Sequence, residues 1–115
     1  MMVNRHRGEV AASLDGREWA LCLTLGALAE LEAAFEAEDL TALIARFSSA
    51  RLSARDMIRI ITAGLRGGGH GVTEDDVAQM QADGGAAGFA RIVSELLTAT
   101  FGTTSKPESD SAPNP

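Results

Sequence analysis

The side chains able to do chemistry are few in this chain and stand apart from one another. Its two histidines, His6 and His70, lie in a basic segment (Asn4-Arg5-His6-Arg7) and in a glycine-rich one (Arg66-Gly67-Gly68-Gly69-His70-Gly71). Neither has a second ligand at the spacing a zinc site needs, so both are predicted to be solvated, with His70 exposed on its loop. The single cysteine, Cys22, cannot form an internal disulfide, which fits a reducing compartment. It is expected to be a small hydrophobe under a helix and not a reactive thiol. Glu74-Asp75-Asp76 groups three carboxylates without the spacing and internal glycine of a calcium loop. Acidic residues in the first turn of a helix are what the helix dipole favours. The glycine run at 67–71 lacks the Gly-Lys-Ser/Thr ending of a phosphate-binding loop and follows no strand. It reads as a flexible helix stop with a left-handed glycine. Tyrosine is absent, and the serines fall in caps, loops, the hairpin, the last helix and the tail. A catalytic site needs a nucleophile with a base, a poised acid and base, or a metal cage, and each lacks a member here. The sequence therefore predicts no catalytic residue, no cofactor and no metal, and the protein is read as non-enzymatic.

Composition narrows the partners. A chain of 115 residues is one domain with a modest core. Apolar residues make up 45% of it but aromatics only 4%, so the core must be Leu, Ile, Val, Met and a few Phe between closely approaching helices. The net charge of −6 and the pI near 4.8 disfavour nucleic acid, whose non-specific binding depends on Lys and Arg neutralising phosphates. An anionic membrane would repel the chain as well. The basic start is followed by Glu9, Ser13 and Asp15, which interrupt any targeting segment. The apolar run from Ala20 to Ala29 is too short to span a bilayer. A cytoplasmic location is expected.

The elements that would position these residues begin with a hairpin. Asp15-Gly16 is a two-residue turn signal, because a type I′ turn needs positive φ at both central positions. The two-residue loop sets Leu14 opposite Arg17, Ala12 opposite Trp19 and Val10 opposite Leu21, which collects the apolar side chains on one face. After Leu23 the apolar period changes from two to about 3.6. Thr24 is then the N-cap of a helix whose face carries Leu28, Leu31 and Phe35, with Leu23 and Leu28 as a hydrophobic staple. Glu36 to Glu38 break that helix. Asp39 or Thr41 caps a second, with Leu40, Leu43, Ile44 and Phe47 in one stripe, and residues 48–51 form a loop.

Ser53 caps a third helix over about Ala54 to Leu65, with Asp56 at its third position and Leu52 able to staple to Met57. Ala54, Met57, Ile58, Ile61 and Leu65 share its main face, and Ile60 lies off that stripe. A helix apolar beyond one stripe is either central to its bundle or offers surface to a partner, and centrality is favoured. Thr73 caps a short fourth helix over about Glu74 to Gln81, and Val72 can staple to Val77. The last helix, about Ala86 to Thr100, spreads Phe89, Ile92, Val93, Leu96, Leu97 and Phe101 over half its circumference. The resulting architecture is α+β: an N-terminal antiparallel β-hairpin packed on a small bundle of four or five short helices. Residues 1–7 are a polar lead-in and 8–101 the single domain. From 102 to 115 the chain is an acidic Pro/Ser-rich tail with no apolar period, which is expected to be disordered.

The segment NRHRGEVAASLDGREWALCLTLGALAELEAAF, followed by RLSARDMIRIITAGLRGGGHGV, resembles the small gene transfer agent proteins grouped with phage tail assembly chaperones. The resemblance runs from about Asn4 to near Phe101 and rests on the ordered series of short motifs. It implies a tail assembly chaperone that binds the tape measure protein transiently, keeping its apolar helical chain soluble while the tube forms. Related sequences are also identified as tail tube proteins, which implies the alternative of a structural component of the particle. A tube built from sheets would call for more β-structure than one hairpin. The implied partners are the tape measure protein or other tail proteins, and self-association into a homo-oligomer is open. The family has no catalytic signature to transfer. Joined to the wide apolar stripes, the resemblance places the partner-binding surface in a groove between the third and last helices, at Ile60, Phe89, Ile92 and Leu96.

Overall fold

The computed structural model describes residues 8–48 and 52–102. The expected polar lead-in at 1–7, positions 49–51 of the expected loop and the expected disordered tail from 103 onward lie outside the described residues. Seven elements follow one another: β1 (Glu9–Leu14), β2 (Arg17–Cys22), α1 (Leu25–Ala34), α2 (Leu40–Ser48), α3 (Ala54–Gly67), α4 (Glu74–Ala78) and α5 (Gly85–Phe101). The architecture is α+β, an antiparallel two-stranded hairpin with five helices.

The hairpin register is the one that the turn and the apolar alternation require, with Leu14 paired to Arg17, Ala12 to Trp19 and Val10 to Leu21. Asp15 and Gly16 have φ of 53° and 74°, both positive as a type I′ turn demands. Val10, Ala12, Leu14, Trp19 and Leu21 are buried and form one side of the core. The Trp19 indole would be costly to bury with its N–H unmade. It donates to the Leu14 carbonyl at 3.0 Å, across the turn.

The starts of α1 to α4 are set by side-chain chemistry, whereas α5 begins at Gly84, in the left-handed conformation and with no side-chain cap. Thr24 Oγ1 accepts from the Ala27 amide at 3.1 Å, and Asp39 Oδ1 accepts from the Ala42 amide at 2.9 Å. At α3 the capping box is complete despite the short aspartate. Ser53 Oγ accepts from the Asp56 amide and Asp56 Oδ2 accepts from the Ser53 amide at 3.0 Å. Thr73 and Asp76 build the same box at α4. That helix ends at Ala78, three residues earlier than the apolar pattern suggests. The residues after it leave to meet the hairpin. Gln81 O accepts from the Asp15 amide at 2.8 Å, Asp15 Oδ1 accepts from the Gln81 amide at 2.9 Å, and Leu14 bridges to Ala82.

Helix α3 is the centre, packing against β2, α1, α4 and α5. Asp56, Ile60, Ile61, Thr62, Ala63, Gly64 and Leu65 are all buried. At Gly64 the backbone comes so close to α5 and β2 that an added Cβ would stand 2.6 Å from a Leu96 methyl and 3.2 Å from a Leu21 methyl.

The glycine run after α3 departs from the loose stop that its composition suggests. The helix continues to Gly67, and Gly67 and Gly68 lie against the outer edge of β2. A Cβ at Gly67 would collide with the Cys22 carbonyl oxygen, and one at Gly68 with the Ala20 carbonyl oxygen. In this register Ala20 and Cys22 are the residues whose backbone groups point away from β1. The end of α3 therefore covers a sheet edge that would otherwise be bare. Only after this contact does the chain turn, at Gly69 with φ of 97°. His70 is also not exposed as expected. It is half-buried with its ring edge-on to Trp19, centroids 4.9 Å apart, and its Nε2 is buried without a hydrogen-bond partner. The Arg17 guanidinium stacks on the same indole, 4.1 Å from its centroid.

Candidate partner-binding site

The described residues hold no group of three or more His, Cys, Asp or Glu side chains placed to bind a metal ion. None of their helices is long and apolar enough to cross a membrane. Cys22 is half-buried. The features with most functional content are an apolar pocket and the charges around it.

The pocket lies between α3, α4 and α5 and has a volume of about 200 Å³. Helix α3 contributes Ala54, Met57, Ile58 and Ile61, the i, i+3, i+4, i+7 set that ordinary helical periodicity brings to one face. Val77 and Ala78 of α4 and Met80 beyond it form a second wall, and Ala86 and Phe89 of α5 a third. Ile61 and Val77 are buried and make the floor, while Met57, Ile58, Met80 and Phe89 are half-buried. Every lining side chain is apolar. Clefts for small ligands are larger, roughly 300 to 1,000 Å³, and carry a few polar groups that orient the ligand.

Of the four residues placed in the groove from sequence, Phe89 lines this pocket. Ile60, Ile92 and Leu96 do not; all three are buried core side chains away from it, Ile60 and Leu96 at 0% exposure. For Ile60 this is a correction with a clear cause. Its face of α3 also carries Asp56, Ala63, Gly64 and Gly67, which count as polar or weakly apolar in a periodicity argument. Asp56 is satisfied by its capping box and by Arg46, and the small residues admit β2 and α5 at short range. The face that looks weak is therefore the deepest one. The stripe that looks like the core stripe stays half-open over its first two turns. An apolar pocket does lie between the third and last helices, but it opens beside Met57 and Ile58, about a third of a turn round α3 from Ile60. Met57, Ile58 and Met80 were missed as surface residues because an apolar stripe by itself does not reveal whether a neighbour covers it.

Electrostatics tie the start of α3, on its Ile60 face, to α2. The Asp56 carboxylate joins α3 to α2 through Arg46 Nη2 at 3.2 Å. Burial pushes this carboxyl up from its ordinary value of 3.8. The backbone and side chain of Ser53 and the Arg46 guanidinium outweigh that and hold it below 3.8. Nearby, Phe35 and Phe47 meet edge to face at 5.3 Å, and the guanidinium groups of Arg46 and Arg59 lie 5.3 and 5.8 Å from the Phe35 centroid.

No curated protein and no solved structure matches the chain. A family model does match. It is described as phage tail tube protein, GTA-gp10, and the match extends over residues 7–103, which contain the hairpin and all five helices. With well over half of its length matched, the chain belongs to this family of gene transfer agent and phage tail proteins.

Proposed function

We propose that the protein is a non-enzymatic structural component of the tail tube of a phage-like gene transfer agent particle, made in the cytoplasm and needing no cofactor. The observation that carries this reading is the family match, whose description is that of a tail tube protein and which spans the whole described fold. The hairpin is the only sheet among the described residues. Copies of this chain would therefore meet largely through their helices.

A second reading is favoured by one specific observation. The half-open apolar pocket between α3, α4 and α5 is a surface that a soluble particle-building protein has reason to cover with a partner. In that reading the chain escorts the tape measure protein during assembly and then leaves, as a tail assembly chaperone. The two roles separate on composition of the finished particle. Quantitative mass spectrometry of purified particles tests the tube role by the presence of this chain in many copies per tail. Absence from particles, with the tape measure protein recovered alongside the chain from producing cells, would support the chaperone role instead.

A further inference from the structure

The geometry points to the α3–α4–α5 pocket as the docking site for an amphipathic helix of another protein, one that carries Lys or Arg beside its apolar face. The inference is independent of whether the chain remains in the particle. The pocket is too small and too uniformly apolar for a small polar ligand, but it suits one or two aliphatic or aromatic side chains presented by a helix. Met57 and Met80 on its walls have flexible thioether chains that adapt to the inserted group.

The charge of the occupant follows from the rim. Val77 and Ala78 line the pocket, and Glu74 precedes them by three and four residues, so helical geometry puts its carboxylate on the pocket side of α4, while Asp75, three residues before Ala78, flanks that side. Asp83 lies between the lining residues Met80 and Ala86. All three are exposed, and neither of the ion pairs formed among the described residues engages them. Against them stands Arg55, three residues before Ile58. An acidic rim around an apolar floor selects a helix with basic flanks and repels one with acidic flanks.

The same logic disfavours a second copy of this chain. Its most exposed apolar helix face is that of α1, with Leu25 at 76% exposure and Ala29 and Ala33 exposed behind it. That helix contains Glu30 and Glu32 and no Lys or Arg. Docking it in the pocket would set carboxylates against carboxylates.

The test uses the full chain and two synthetic amphipathic helices with the same leucine face, one flanked by lysine and the other by glutamate, with binding followed by fluorescence anisotropy. The lysine peptide is expected to bind, and the glutamate peptide to bind at least about tenfold more weakly. Two variants check the site. Ala86→Trp fills the pocket without changing charge, and the double change Glu74→Lys with Asp75→Lys reverses the rim. Both substitute exposed positions, and circular dichroism melting verifies their folds. Each is expected to weaken lysine-peptide binding by about tenfold or more. Binding that Ala86→Trp leaves unchanged while salt abolishes it would reduce the effect to general attraction for an acidic protein and overturn the proposal. Self-association in sedimentation that Ala86→Trp abolishes would also overturn it, by making a second copy the occupant.

Discussion

The α-carbon of Gly67 sits against the carbonyl oxygen of Cys22, so close that no side chain fits between helix α3 and the edge of strand β2. Gly68 stands in the same relation to Ala20. This contact joins the central helix to the hairpin, and a two-stranded sheet is marginal in water without such support. Gly67→Ala is predicted to destabilise the protein by about 1 to 3 kcal/mol, the usual cost of overpacking. Gly71, four residues on, has open space around its α-carbon and no positive φ. Gly71→Ala should change stability by no more than about 0.5 kcal/mol. Urea unfolding of the two variants checks the contrast, and equal effects would contradict the close approach.

Asp56 predicts a pH dependence. Its folded-state value lies below the ordinary 3.8, so the unfolded chain binds the proton more readily. The stabilisation is fully present above the unfolded value and is lost as pH falls through the lower folded one. Asp56→Asn should therefore show a shallower loss of stability below about pH 4 than the parent protein. It should also be less stable at neutral pH by about 1 to 3 kcal/mol, because the charged partner of Arg46 and the Ser53 amide is weakened. Melting temperatures measured from pH 7 down to pH 3 check both the offset and the slope.

Asp15 has two tasks, holding a left-handed turn position and accepting the Gln81 amide. Asp15→Asn preserves an oxygen acceptor and a residue type that tolerates positive φ, so its stability should stay within about 0.5 kcal/mol of the parent. Asp15→Ala loses the acceptor and strains the turn, at a cost of about 1 to 2 kcal/mol. In hydrogen exchange, faster exchange of the Gln81 amide in the alanine variant is the specific sign.

Local chemistry was legible in the sequence, and long-range closure was not. The Asp15-Gly16 turn, the pairing of Ala12 with Trp19 and the caps at Thr24, Ser53 and Thr73 depend on residues within a few positions of one another. Each reads out without knowledge of the rest. Gly67 and Gly68 look like a loose loop because what requires them is a strand edge more than forty residues earlier in the chain. The early end of α4 depends on Gln81 reaching Asp15, sixty-six positions away. His70 reads as a loop residue until Trp19 is seen beside it. At the candidate site the lining stripe of α3 was identified, but its half-open state depends on how α4 and α5 approach it. Only Phe89 was both chosen from sequence and placed at the pocket.

The two faces of α3 should respond differently to truncation. Ile60 is fully buried, so Ile60→Ala is expected to cost about 2 to 5 kcal/mol. Ile60→Glu should unfold the protein, since it would leave a carboxylate in the core with no partner. Ile58 is half-buried beside the pocket, and Ile58→Ala should cost clearly less than Ile60→Ala. Chemical denaturation of the two alanine variants orders the faces, and the reverse order would show the pocket side to be the true core.

The measurement that bears most directly on function is the copy number of this chain in purified gene transfer agent particles, obtained by quantitative mass spectrometry against the other tail proteins. A tail tube component should be present in many copies per tail, in fixed proportion to tail length. Its absence from mature particles, while it is abundant in producing cells and bound there to the tape measure protein, would contradict the structural role.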